Sequence, residues 1–131
     1  MDKLIELQKD FVNERLGTFI HWNSAAAQFH DSKDIIDWEY GVENGGDARQ
    51  YPFNEADWNP RHLDCKQWAK IAKSAGCRFG ILTTKHHEGF CLWDSKYTEH
   101  CVRNATNKTD VVAEFVNAFR AEGMKAGLYF S

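Results

Sequence analysis

Apolar residues recur along the chain at two spacings. Over residues 3 to 16, Leu4, Ile5, Leu7, Phe11, Val12 and Leu16 follow one another at mixed steps of three and four. That spacing predicts an amphipathic helix, with Gly17 placed to end it. The pattern then tightens. "LGTFIHW" is a short apolar, β-branched and aromatic run and reads as a strand, with His21 and Trp22 at its C-terminal end. A second helix is predicted over "DCKQWAKIAKSAG", with Asp64 as N-cap, Trp68, Ile71 and Ala72 on the apolar face, and Gly76 as C-cap. "RFGILTTK" is a second strand. "TDVVAEFVNAFRAEG" is a third helix, capped by Asp110 or Thr109 and closed by Gly123; Val111, Val112, Phe115, Val116 and Phe119 face inward. "KAGLYFS" is a third strand.

Residues 23 to 60 break the rhythm. They carry Gly41, Gly45, Gly46, Pro52 and Pro60 and show neither period. A connection this long is more often functional than ornamental. Trp38, Tyr40, Tyr51, Phe53 and Trp58 are expected to pin it to the body of the protein.

Strands alternating with helices imply a parallel α/β sheet, because parallel neighbours need crossover connections. In such sheets ligand-binding groups collect beyond the C-terminal ends of the strands. All three predicted strands end in polar or aromatic groups: His21 and Trp22, then Lys85, His86 and His87, then Tyr129 with Ser131.

Composition narrows the picture. With 131 residues, 43% of them hydrophobic, the chain suits one globular domain over residues 1–131. Five Trp, nine Phe and four Tyr exceed what so small a core usually needs, which hints at a ligand cleft; an aromatic-rich core is the commoner explanation. A net charge of −3 without a basic stripe points away from a nucleic-acid partner. No apolar run reaches the length of a membrane span, and the acidic, amphipathic N-terminus reads as neither a signal nor a transit peptide. The compartment is not assigned. Cys65, Cys77, Cys91 and Cys101 form no C-x-x-C pair and no zinc-finger spacing, so buried free thiols are expected. Two adjacent glycosylation sequons at Asn104 and Asn107 are short enough to arise by chance.

The chemistry concentrates in "LTTKHHEGFCLW", residues 82 to 93. Side chains alternate on an extended strand end, so His86 and His87 should diverge, one facing a cleft and the other bracing it. Neutral imidazoles donate and accept hydrogen bonds, which suits a sugar or polyol. The plainer reading is one buried structural histidine and one on the surface; three converging strand ends favour ligand contact. His21, His86, His87 and Glu88 could instead supply metal ligands, yet no helical H-x-x-x-H or comparable spacing supports this. Glu88 and Asp94 are the nearest carboxylates, and a glycosidase needs two about 5 to 9 Å apart. Glu88 reads better as a loop-shaping acceptor and Asp94 as a turn residue. Trp22, Trp38 and Trp93 could stack on a sugar ring or belong to the core. No serine elbow, phosphate loop or dinucleotide fingerprint is present.

"GTFIHW", "FNEADWNPRHLDCKQWAKIAKSAGCRFGILTTKHHEGFCLWDSKYTEH" and "TDVVAEFVNAFRAEGMKAGLYFS" together resemble the N-terminal part of the retaining α-L-fucosidases, glycoside hydrolase family 29. "LTTKHHEGFCLWDS" is the most specific segment, often written in that family with Asp at the place of Glu88. The resemblance implies a partial (β/α)8 barrel of about three βα units. It implies removal of terminal α-linked L-fucose from fucosylated glycans by double displacement, without cofactors. Carried over by position, His21, His86, His87 and Tyr129 would bind the fucose. From the first long loop Trp38 is the best match, with Asp37 and Glu39 as alternatives. A whole barrel takes about 250 residues, and the family's nucleophile and acid/base carboxylates fall on later strands with no matching position here. The expectation is therefore an N-terminal fragment that associates with itself or with a missing C-terminal part.

Overall fold

The computed structural model describes residues 2–22 and 54–131. Trp38 and most of the long connection lie outside the described residues. The elements follow in the predicted order: α1 (Asp2–Glu14), β1 (Gly17–Ile20), a 3-10 turn (Glu55–Asp57), α2 (Cys65–Ser74), β2 (Phe79–Lys85), a second 3-10 turn (Val102–Asn104), α3 (Val111–Ala121) and β3 (Lys125–Phe130).

The three strands form one parallel sheet in the order β1-β2-β3. Gly17 pairs with Phe79 and Ile20 with Leu82 on one side of β2; Phe79 pairs with Lys125 and Thr83 with Tyr129 on the other. A register shift between Thr83 and Lys85 then brings Phe130 opposite Lys85. Side chains alternate along β2. Gly80 and Leu82 face the helices, where Leu82 joins Trp58, Phe90, Leu92, Phe115 and Phe119 in the core. Phe115 and Phe119 stack with ring centroids 4.3 Å apart, and neither is exposed. Burial of such a ring contributes about 1.5–3 kcal/mol. Gly80 is required by this contact, because a Cβ there would lie 2.1 Å from Phe119 Cε1.

Helix ends show the expected chemistry with two refinements, and the face of one helix differs. Asp64 Oδ1 accepts from Gln67 N at 2.9 Å, and Asp110 Oδ1 from Ala113 N at 2.8 Å, so Asp110 rather than Thr109 caps α3. Gly17 does not end α1. The helix stops at Arg15, whose φ is 62°, and Gly17 opens β1. Its missing side chain serves packing, since a Cβ would lie 2.2 Å from the Phe79 ring. Ile71, expected on the apolar face of α2, is exposed. Cys65, Ala69 and Ala72 make that face instead, with Trp68 half-buried beside them. They sit at i, i+4 and i+7, one stripe of the helix, and their small side chains let α2 lie against α3.

At the other end of the sheet, Phe11 of α1 packs on Phe79 at 5.7 Å, and Glu14 pairs with Lys125 at 2.6 Å and Arg78 at 3.4 Å. The Lys125 hydrogen bond, with Arg78 beside it, holds the Glu14 carboxyl below the usual range. Glu55 of the first 3-10 turn is hydrogen-bonded to His100 Nδ1, tying it to the connection after β2. That bond likewise lowers the Glu55 pKa. Among the described residues no helix is long and apolar enough to cross a membrane.

Two outcomes follow from these contacts. Gly80→Ala should lower the unfolding free energy by about 1–3 kcal/mol through overpacking, and adding Phe119→Leu should recover part of it; urea denaturation measures both. The Glu55 pair stabilises the fold above the ordinary glutamate pKa of about 4.3 and is lost as pH falls through the lower, folded value. The Tm gap between wild type and Glu55→Gln should therefore narrow as the pH drops from 7 towards 3.

Candidate active site

Two adjacent threonines of β2 set the C-terminal edge of the sheet. Thr83 Oγ1 donates to Ile20 O at 3.3 Å and accepts from Trp22 N at 3.2 Å. The backbone on both sides of His21 is thereby anchored to β2. Thr84 Oγ1 donates to Tyr129 O at 2.8 Å, binding β2 to the end of β3. Beyond them, Lys85 Nζ donates to Ser131 O and lies 4.6 Å over the Phe130 ring. The chain then turns: Gly89, with φ 87°, donates its N–H to His86 O at 3.0 Å. Glycine takes that left-handed conformation at little cost.

This edge gathers four of the five residues singled out in the sequence. The His21 ring lies 5.6 Å from His86 and 6.4 Å from Tyr129, and His86 lies 6.3 Å from Tyr129. His87 meets His86 edge-on at 4.5 Å. The two histidines diverge as alternation requires: His86 is 4% exposed, whereas His87 is exposed and hydrogen-bonded through Nδ1 to Ser131 Oγ at 2.8 Å. Trp38, the fifth, lies outside the described residues, as do Asp37 and Glu39.

Other residues sort by what they touch. The Glu88 side chain is buried with its Oε2 3.9 Å from His86 Nδ1, close enough to act on that imidazole electrostatically but too far for that atom to hydrogen-bond it. Trp22 packs against Trp58 at 4.8 Å and Trp68 at 5.2 Å, on the core side. Trp93 lies 6.2 Å from Phe130 and lines a shallow groove with Thr84, Val112 and Leu128, on the helix-facing side of the sheet. Asp94 is exposed and paired with Arg103. Among the described residues, no group of three or more His, Cys, Asp or Glu side chains is placed to hold a metal ion.

Two contributors escaped the reading of the sequence. Thr83 looks in the sequence like one more β-branched strand residue, and its hydroxyl partners lie more than sixty residues away. Phe19, two residues before His21 on β1, packs its ring 4.6 Å from His21 and 5.6 Å from Tyr129. Period-two alternation along "TFIH" places it on the His21 face. The assembled edge offers imidazole and phenol donors and acceptors around a half-exposed aromatic ring. Such groups can hydrogen-bond hydroxyls and cover one apolar face of a small molecule.

Comparison with known proteins gives the family. The family model described as alpha-L-fucosidase matches residues 2–131. Human plasma alpha-L-fucosidase is 32% identical over 137 aligned residues, covering 92% of this chain and 28% of that protein. The crystal structure of a family 29 alpha-L-fucosidase from Bacteroides thetaiotaomicron superposes with a TM-score of 0.78 at 38% identity, over 94% of this chain and 29% of that one. A related structure from the same organism, a covalent intermediate trapped with 2-fluoro-fucosyl fluoride, gives 0.76 at 38% identity over 92% and 28%. The chain thus spans less than a third of each of these relatives. The α/β class stands with them, β1, β2 and β3 being three neighbouring parallel strands of a (β/α)8-type barrel wall. A match over residues 2–131, joined to an equally extensive structural likeness, places this chain in the alpha-L-fucosidase family, glycoside hydrolase family 29.

Proposed function

We propose that this chain supplies the sugar-gripping wall of a retaining α-L-fucosidase that removes terminal α-linked L-fucose from glycans. The observation that carries the proposal is the meeting of His21, His86 and Tyr129 at the C-terminal ends of three parallel strands, in a chain of this family. Fucose presents several hydroxyls and a methyl group in place of the usual hydroxymethyl group. The imidazoles and the phenol suit the hydroxyls, and the Phe19 ring gives the methyl an apolar neighbour. His87 is a fourth polar contact, steadied by Ser131. Trp38 is proposed as a further contact on the resemblance of its segment alone.

The reaction needs two carboxylates, one attacking the anomeric carbon and one protonating the leaving oxygen and then activating water. Glu88 is the carboxylate nearest the cluster, but its side chain is buried beside His86, where it suits an electrostatic influence on that imidazole rather than attack on a sugar. The pair is assigned to later strands of a completed barrel, so this wall binds and orients while the carboxylates act from the facing wall. A trapped covalent intermediate in the Bacteroides relative supports the double displacement.

The same reading bears on association. Among the described residues β1 and β3 are the sheet's edges, and Phe19, Leu128 and Phe130 are roughly half exposed or more. A groove of about 320 Å³ runs beside β3. Such edges and apolar faces recruit further strands, either from the rest of a barrel or from a second copy.

Two measurements test these statements. An aryl α-L-fucoside should be hydrolysed by a form of the protein whose barrel is complete, and not by this chain alone. In the complete form His86→Ala should cost tenfold or more in kcat/KM, about the value of one lost hydrogen bond in a site built for hydroxyls. Hydrolysis by this chain alone, lost in its own His86→Ala variant, would overturn the division of labour between the two walls. Light scattering on the chain as it stands should report a mass above one copy, 15.1 kDa, at high concentration; a sharp monomer would end the association proposal.

A further inference from the structure

Cys91 and Cys101 face each other across an isolated parallel β-bridge just beyond the histidine turn. Cys91 N donates to His100 O at 3.0 Å, and Val102 N donates to Cys91 O at 3.1 Å, bracketing Cys101 opposite Cys91. Strands bonded in this way lie about 4.8 Å apart. Disulfides span Cα separations of about 4.4–6.8 Å. Residues in register on a ladder direct their side chains to the same face. Both thiols are free, and both are buried. Burial pushes the Cys91 thiol pKa up, and the neighbouring Cys101 adds to the rise. The remaining pair differs. Cys65 opens α2 and Cys77 follows its end, with the whole helix between them.

We propose that Cys91 and Cys101 form an intramolecular disulfide when the chain folds in the presence of a small-molecule disulfide oxidant of the glutathione type. One cysteine thiolate attacks the oxidant, breaking its S–S bond, forming a mixed disulfide and releasing one thiol. The second cysteine then attacks the protein sulfur of that mixed disulfide, forms the Cys91–Cys101 bond and releases the second thiol. The oxidant gains the two electrons and two protons that the cysteines give up. The step belongs to folding, when both sulfurs are accessible. In the native state they are covered, and the raised Cys91 pKa keeps its thiolate scarce. The bond closes the connection from residue 91 to 101, which links the turn bearing His86, His87 and Glu88 to the Val102–Asn104 turn. Closing that loop restricts the unfolded chain and stabilises the folded one. The proposal stands independently of the fucosidase reading.

The test is refolding from urea into a buffer of oxidised and reduced glutathione, followed by alkylation of free thiols and mass mapping. The expected product has lost two hydrogens and carries label only on Cys65 and Cys77. Trypsin cuts after Lys85, Lys96 and Arg103, so the peptide from His86 to Lys96 should emerge joined to the one from Tyr97 to Arg103. The oxidised sample should unfold at a higher temperature than the same sample after reduction. Cys101→Ser should yield no joined peptides, with Cys91 either labelled or carrying glutathione and Cys65 and Cys77 labelled. In the wild-type chain, four labelled cysteines, glutathione adducts at Cys91 or Cys101, or pairing with Cys65 or Cys77 would overturn the proposal. Protein expressed in a bacterial periplasm needs no refolding step and should yield the same joined peptides; free thiols at Cys91 and Cys101 in that material would equally overturn it.

Discussion

The register of β2 against both its neighbours is the constraint on which the rest depends. Because β1 and β3 both run parallel to it, the three C-terminal ends emerge on one edge. A slip of one residue on either side would turn the partner's side chains to the opposite face, sending His21 or Tyr129 into the helix layer. Hydrogen bonds of the ladder alone weaken where the strands stop. Thr83 and Thr84 extend the hold by one side chain in each direction, the first to β1 and the second to β3. The ring cluster of His21, His86 and Tyr129 is therefore a product of backbone alignment, with each ring delivered by a different strand.

Packing on the other face enforces that alignment. Phe119 fills the space over Gly80, and Leu82 is buried among aromatic residues from α3 and the connection after β2. The sheet cannot slide under α3 without driving a side chain into that ring. The 3-10 turn at Glu55–Asp57 is held from a different direction. Its Glu55 binds His100, and Trp58 just beyond it is wholly buried and packs on Trp22 and Phe90. The exit from β1 and the turn after β2 thus share one aromatic support.

Much of this was legible in the chain itself. Order and type of the elements follow from periodicity, since a three-four spacing and a two-residue alternation are hard to confuse over "TDVVAEFVNAFRAEG" and "RFGILTTK". The convergence of His21, His86 and Tyr129 was legible because parallel topology dictates where strand ends go. What could not be read depends on lateral neighbours. Gly17 looks like a helix stop until Phe79 is known to sit beside it. Ile71 has the right hydropathy for the core but lies off the stripe that α3 covers. Thr83 matters through Ile20 and Trp22, more than sixty residues away, and no local pattern announces such a pair. Where Trp22 and Trp93 fall also depends on lateral neighbours: Trp22 packs on Trp58 and Trp68, and Trp93 lies beside Phe130.

One carboxylate at the opposite end of the sheet has its own consequence. Glu14 is the polar tie between α1 and the starts of β2 and β3, beside the Phe11–Phe79 packing, and its partners Arg78 and Lys125 are well exposed. Exposed ion pairs fade as salt rises, because at about 1 M the screening length shrinks to about 3 Å. The hydroxyl contacts at the far edge are neutral and insensitive to such screening. The two ends of the sheet therefore answer to different features of the medium: ionic strength loosens the helix under the sheet while leaving the strand ends in place.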